Sequence, residues 1–174
     1  ATLFIPGRMK PKPDADENVK TAYNSGASAE SIGVAPFSFG EKWSTILESE
    51  IMGMTRIRNR GEGMQLEIRG ATVDVTVSGD SGRGVLLLHG FMCSAQMMSS
   101  VQEALCGQMR VAAIDFPGHG KNGRSAPPPK PWGVPDYMEM TAEVIRRLKL
   151  APCDIVAHSF GARVAILLAA TYPE

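Results

Sequence analysis

The sequence predicts an α/β protein in which a mostly parallel sheet carries helices on both faces. Three observations lead there. Val85-Leu86-Leu87-Leu88, Val111 to Asp115 and Asp154 to Ala157 are short, largely apolar runs, the pattern of strands covered on both sides. Stretches with apolar residues at helical spacing separate and follow them. Strands that alternate with helices in this way give parallel pairs, because each crossover returns the chain to the same end of the sheet.

The elements can be placed in order. Residues 1–40 are rich in Pro, Gly, Ser and Ala and read as an extended arm or linker, poorly able to bury a core alone; an arm ordered against a partner is the alternative. Residues 41–62 hold a short amphipathic helix, with Trp43, Ile46, Leu47 and Ile51 on one face, and a connection. Residues 63–174 form the domain proper. Gln65 to Arg69 and Ala71 to Val77 read as two strands joined by a tight turn at Gly70. Val73, Val75 and Val77 alternate with polar residues, the period of a strand with one solvated face. After the first buried run, a helix from about Ser94 to Gly107 puts Met98, Val101 and Leu105 on one face. Residues 121–132, with Pro127-Pro128-Pro129, read as an ordered domain loop rather than a proline-rich recognition motif. A helix from about Asp136 to Leu150 aligns Tyr137, Thr141, Val144, Ile145 and Leu148, and a last helix runs from Phe160 to Thr171.

Composition excludes several function classes. Lys plus Arg and Asp plus Glu are 18 each, so no broad charged footprint for nucleic acid or anionic membrane is expected. No apolar run reaches the roughly 18 residues of a membrane-spanning helix. Cys93, Cys106 and Cys153 are too far apart for a CxxC zinc cluster, and three cysteines without framework spacing favour free thiols in a reducing compartment. No metal or organic cofactor is implied. The start at Ala1 suggests a processed or trimmed beginning, and the first residues lack an apolar core of signal-peptide length.

The chemistry concentrates at Ala157-His158-Ser159-Phe160-Gly161, between a buried strand and a buried helix. A serine on a sharp strand-to-helix turn stands clear of the sheet and meets a substrate. The turn brings neighbouring backbones close, so the positions two before and two after must be small; Ala157 and Gly161 meet that need, Ala157 standing where Gly is usual. The helix start also presents uncommitted N–H groups and partial positive charge to a developing oxyanion. A small-x-Ser-x-small pattern alone is weak. Its place at the junction, and His89-Gly90-Phe91 closing an earlier strand, strengthen it.

Leu86 to Phe91, Asp115 to Gly120 and Ala157 to Ala165 together resemble the α/β-hydrolase superfamily in its serine-nucleophile branch, over roughly Gln65 to the end of the chain. The resemblance implies a partial α/β-hydrolase fold, the N-terminal half only, without the C-terminal strands. It implies the sheet order 1-2-4-3-5, which sets the His89 strand beside the Ser159 strand. It also implies Ser159 as nucleophile and the backbone N–H groups of Phe91 and Phe160 as an oxyanion hole. His158 precedes Ser159 and points away from its side chain, His89 shapes the oxyanion loop, and Asp115 orders its turn. His119 follows a strand two places from the nucleophile strand, roughly 10 Å away at ~4.8 Å per strand, too far for a general base. Cys93 reads as a packed free cysteine. The family's Asp-nucleophile branches, haloalkane dehalogenases and epoxide hydrolases, are disfavoured by Ser159.

The family's acid and histidine follow the nucleophile in the chain. Fifteen residues follow Ser159 here, none of them His or Asp, and the only later acid is Glu174. Three accounts are open: a serine hydrolase completed by a second chain, a non-catalytic structural or assembly subunit derived from a hydrolase, or an incomplete sequence. Residues 154–157 are expected to form an open sheet edge, to be paired by a protein partner or a C-terminal half, with a small acyl substrate if the site is active. The Phe160–Thr171 helix, apolar on nearly every side, is expected to need more protein to cover Ile166, Leu167 and Leu168. The isolated chain is expected to be inactive and not a stable monomer.

Overall fold

A computed structural model of the chain describes residues 2–5, 61–120 and 126–172. The arm beyond residue 5, the helix expected at 41–53 and part of the proline loop lie outside the described residues. The described chain forms strands β1 (Thr2–Ile5), β2 (Glu62–Ile68), β3 (Ala71–Ser78), β4 (Gly84–Leu88), β5 (Arg110–Asp115) and β6 (Cys153–His158). Its helices are a 3-10 turn (Ala95–Met98), α1 (Ser99–Leu105), α2 (Val134–Leu148) and α3 (Phe160–Thr171).

The six strands lie in the order β1-β6-β4-β5-β3-β2. From β2 to β6 this is the 1-2-4-3-5 order that the resemblance implies. The sheet is mixed: β4 pairs in parallel with both β5 and β6, and antiparallel ladders flank this centre. At one flank, β2 and β3 form a hairpin whose two turn residues, Arg69 (φ 53°) and Gly70 (φ 77°), are both left-handed, as a two-residue hairpin of native twist requires.

The parallel centre explains the apolar runs. All five residues of β4 are buried. Leu86 and Leu88 join the core under α2 and α3, whereas Val85 and Leu87 join a second core under the 3-10 turn and α1. Each leucine so enclosed contributes roughly 1.5–3 kcal/mol. Met98 and Leu105 are buried in that second core with Val101 packed beside them, the stripe read from sequence. The expected helix over 94–107 is instead split into the 3-10 turn and the shorter α1. In α2, Thr141, Val144 and Leu148 are buried, and Asp136 begins the helix by accepting a hydrogen bond from the Gly133 N–H (3.0 Å).

Two expectations need correction. The β6 edge is not open: Thr2 to Ile5 pair with it antiparallel, in the register Thr2↔His158 to Ile5↔Ile155. The unsatisfied backbone groups of an edge take whatever extended segment is available, and the chain's own first residues supply one. Nor is α3 left bare. Leu168 is 3% exposed, and Ile166 and Leu167 are half-buried against the core, because α3 packs on the sheet on one side and on α2 on another.

Candidate functional site

The ends of three adjacent parallel strands build the site. β6 ends at His158 and α3 begins at Phe160, so Ser159 alone makes the turn. Its backbone stands at φ 49°, ψ −107°, a region that a non-glycine residue occupies only when its surroundings enforce it. The enforcement is visible on both sides. The Ser159 carbonyl accepts from the N–H groups of Ala162 (3.1 Å) and Arg163 (3.4 Å), opening α3. The Gly161 N–H donates to the His89 carbonyl (3.1 Å), pinning the helix start to the end of β4. A Cβ on Gly161 would meet the backbone oxygens of Leu88 and His89 at 2.7 Å, so the approach depends on glycine. Ala157, fully buried, is the small residue before the turn. The Ser159 side chain is exposed, and its hydroxyl does not cap the helix.

Gly90 faces this turn. A Cβ there would lie 3.4 Å from the Ser159 Cβ and 2.9 Å from His158 Cδ2, which sets the His89-Gly90-Phe91 loop directly against the serine. The loop folds back as the Cys93 N–H donates to the Gly90 carbonyl (3.2 Å), with Met92 left-handed at φ 57°. Among the described residues, no backbone hydrogen bond is donated by the N–H of Phe91 or of Phe160.

His89 holds the loop to the next strand. It is wholly buried; its Nδ1 sits 2.6 Å from the Gly90 carbonyl, and its Nε2 accepts from the Phe116 N–H (3.0 Å). That pairing specifies a neutral ring with the proton on Nδ1. Burial moves its pKa below the usual histidine value, against smaller opposing effects from Gly90 and Asp115. Asp115 accepts from the Ala95 N–H and so anchors the start of the 3-10 turn, a different segment from the turn after β5 that it was expected to order. His119 lies with its ring centroid 5.3 Å from that of His89 and 5.7 Å from that of Phe91, and its Nδ1 is 3.1 Å from the Pro117 carbonyl.

Sequence reasoning missed an aromatic layer. Phe160 meets Phe116 (5.4 Å) and Tyr137 (5.1 Å) edge to face, Tyr137 meets Trp132 (5.4 Å), and Phe91 meets Phe160 (6.4 Å). The signal was present: Phe91, Phe116 and Phe160 each stand within three residues of the end of β4, β5 or β6, and the sheet order brings those ends together. A groove of about 790 Å³, lined by Ile5, Ile145, Ile155 and Leu168 with Arg69 and Arg146, does not include Ser159.

The sequence model of the alpha/beta hydrolase family matches residues 85–173, just over half of the chain and all three strand ends. The chain belongs to the alpha/beta hydrolase family. Among hydrolase relatives, a "Serine hydrolase-like protein" of Danio rerio is 34% identical over 93 residues, covering 53% of this chain and 28% of the relative. A "Pimeloyl-[acyl-carrier protein] methyl ester esterase" of Neisseria meningitidis is 32% identical over 95 residues, 55% of this chain and 34% of the esterase. The chain thus spans about a third of the length of these relatives. Solved alpha/beta hydrolases agree in fold. The epoxide hydrolase VrEH1 from Vigna radiata superposes with a TM-score of 0.61 at 25% identity, covering 68% of this chain and 37% of that one. The N-acyl homoserine lactonase AidH gives 0.58 at 28% identity, covering 65% and 42%.

Proposed function

We propose that this chain carries the nucleophile half of an esterase-like serine hydrolase acting on a small acyl substrate. The observation that supports it most is the conformation of Ser159: an exposed residue on a one-residue turn at φ 49°, ψ −107°, with the Gly90 loop set against it. Backbone strain of this kind costs about 1–3 kcal/mol and is kept where it serves a site. In the proposed reaction, Ser159 Oγ attacks the acyl carbonyl carbon while a histidine base takes the hydroxyl proton. The carbonyl oxygen becomes an oxyanion that accepts from the N–H groups of Phe91 and Phe160. The carbon–oxygen bond to the leaving alkoxide breaks, the base returns the proton to it, and water releases the acyl group from Ser159 by the same steps. Ser159 favours this chemistry over that of the family's Asp-nucleophile members, whose folds it shares.

The base and its orienting acid are proposed to come from polypeptide outside these 174 residues, because the family's acid and histidine follow the nucleophile in the chain and no His or Asp follows Ser159 here. His89 is committed on both nitrogens, His119 packs on the neighbouring loop, and His158 stands beside Gly90. The test compares hydrolysis of short p-nitrophenyl esters by residues 1–174 alone with that by the protein including the polypeptide that supplies those groups. The short chain should run on the order of 10³-fold or more slower, because only the oxyanion site and binding remain. Equal turnover by the short chain would place the base within it. No turnover by either would favour a non-catalytic assembly subunit.

A further inference from the structure

The loop beside Ser159 exposes more apolar surface than its structural duties require. Phe91 is 66% exposed and Met92 83%, the most open large hydrophobic side chains among the described residues. Phe91 is nonetheless held. Its ring stands edge to face against His119 (5.7 Å, 69°) and Phe160 (6.4 Å, 65°). Behind them Phe116, fully buried, meets both Phe160 and His119, and Tyr137 braces Phe160 at 5.1 Å and 90°. A fixed aromatic ring that remains largely open is apolar surface organised in advance for something to cover. It lies beside the proposed nucleophile, because Gly90, the residue before it, faces the Ser159 Cβ. The Nδ1 of His119 is turned to the Pro117 carbonyl.

We propose that the ring of Phe91, backed by Phe160 and His119, seats the acyl chain of the substrate and selects longer alkyl acyl groups over acetyl. The inference rests on the nucleophile reading of Ser159 and extends it to the substrate class. It separates two contributions of one residue: the backbone N–H serves the oxyanion whatever the side chain, and the ring serves the acyl chain.

The experiment measures kcat/KM on p-nitrophenyl acetate, butanoate, hexanoate and octanoate, using the protein with its base and acid present, in wild type, Phe91→Ala and Phe91→Leu. The quantity read is the hexanoate-to-acetate ratio, which is insensitive to a uniform loss of folded or correctly positioned enzyme. Wild type should favour hexanoate by about tenfold or more, the scale of apolar discrimination in a hydrophobic site. Phe91→Ala should bring the ratio down close to one, with Phe91→Leu in between. A ratio unchanged in both variants, even with lower absolute rates, would overturn the proposal and assign the ring to loop positioning or to a covering protein segment. A wild-type preference for acetate would overturn it as well. Fluorophosphonate labelling of the same samples distinguishes the two levels: Ser159 labelled with an unchanged ratio removes only the acyl seat, whereas an unlabelled Ser159 removes the nucleophile reading beneath it.

Discussion

Ser159→Ala is expected to lower kcat for ester hydrolysis by on the order of 10⁶-fold in the protein with its acid and base in place, with little change in KM. The side chain is exposed and its hydroxyl does not cap α3, so its removal forfeits little structure. The turn itself is held by backbone bonds that alanine keeps: the Ser159 carbonyl to Ala162 and Arg163, and Gly161 to His89. The loss should therefore be chemical rather than structural, and an unchanged melting temperature would confirm that separation. What remains is stabilisation of the oxyanion for attack by water. A fall of only a few-fold would mean that another group performs the attack.

The second large effect is expected at Gly161. A Cβ at this position would sit 2.7 Å from two backbone oxygens, those of Leu88 and His89, and 2.8 Å from the Leu88 Cβ. Backbone cannot step aside as a flexible side chain can. Gly161→Val would therefore drive α3 away from β4, break the Gly161 to His89 hydrogen bond and shift both Phe91 and Phe160. Overpacking against backbone should cost about 3 kcal/mol or more, which for a chain of this size lowers the melting temperature by about 6–12 °C. Ester hydrolysis should fall with it, because a misplacement of about 1 Å at a reacting centre costs on the order of 10² in rate. Gly63→Val is the control, since a Cβ there meets nothing within 4 Å. Equal stability of the two variants in thermal melts would refute the close helix–strand approach.

Much of this site was legible because it lies in contiguous residues. The strand–Ser159–helix junction, the small residues around it and the His89-Gly90-Phe91 loop are local features, and the apolar runs of β4, β5 and β6 announce burial on both faces directly. The family's strand order then set β4 beside β6, as the structure has it. Features that depend on residues far apart were not legible. Thr2 to Ile5 carry no local sign that they pair with Ile155 to His158, 150 or more positions later. The half-burial of Ile166 and Leu167 depends on α2 packing alongside α3, which helical periodicity in either segment cannot reveal. The aromatic layer was hidden for the same reason. Each phenylalanine looks ordinary in its own segment, and only the convergence of three strand ends makes them one surface. His119 shows both sides of the matter. The two-strand separation argued against its reaching Ser159, yet its packing on Phe91 needed the loop geometry.

The nucleophile assignment is tested most directly by mapping the site of covalent attack. The protein is treated with a fluorophosphonate, digested, and the adduct located by tandem mass spectrometry. The account predicts a single stoichiometric adduct on Ser159, in the peptide that contains His158-Ser159-Phe160, and its disappearance in Ser159→Ala. An adduct on any other residue, or labelling that persists in Ser159→Ala, would contradict it.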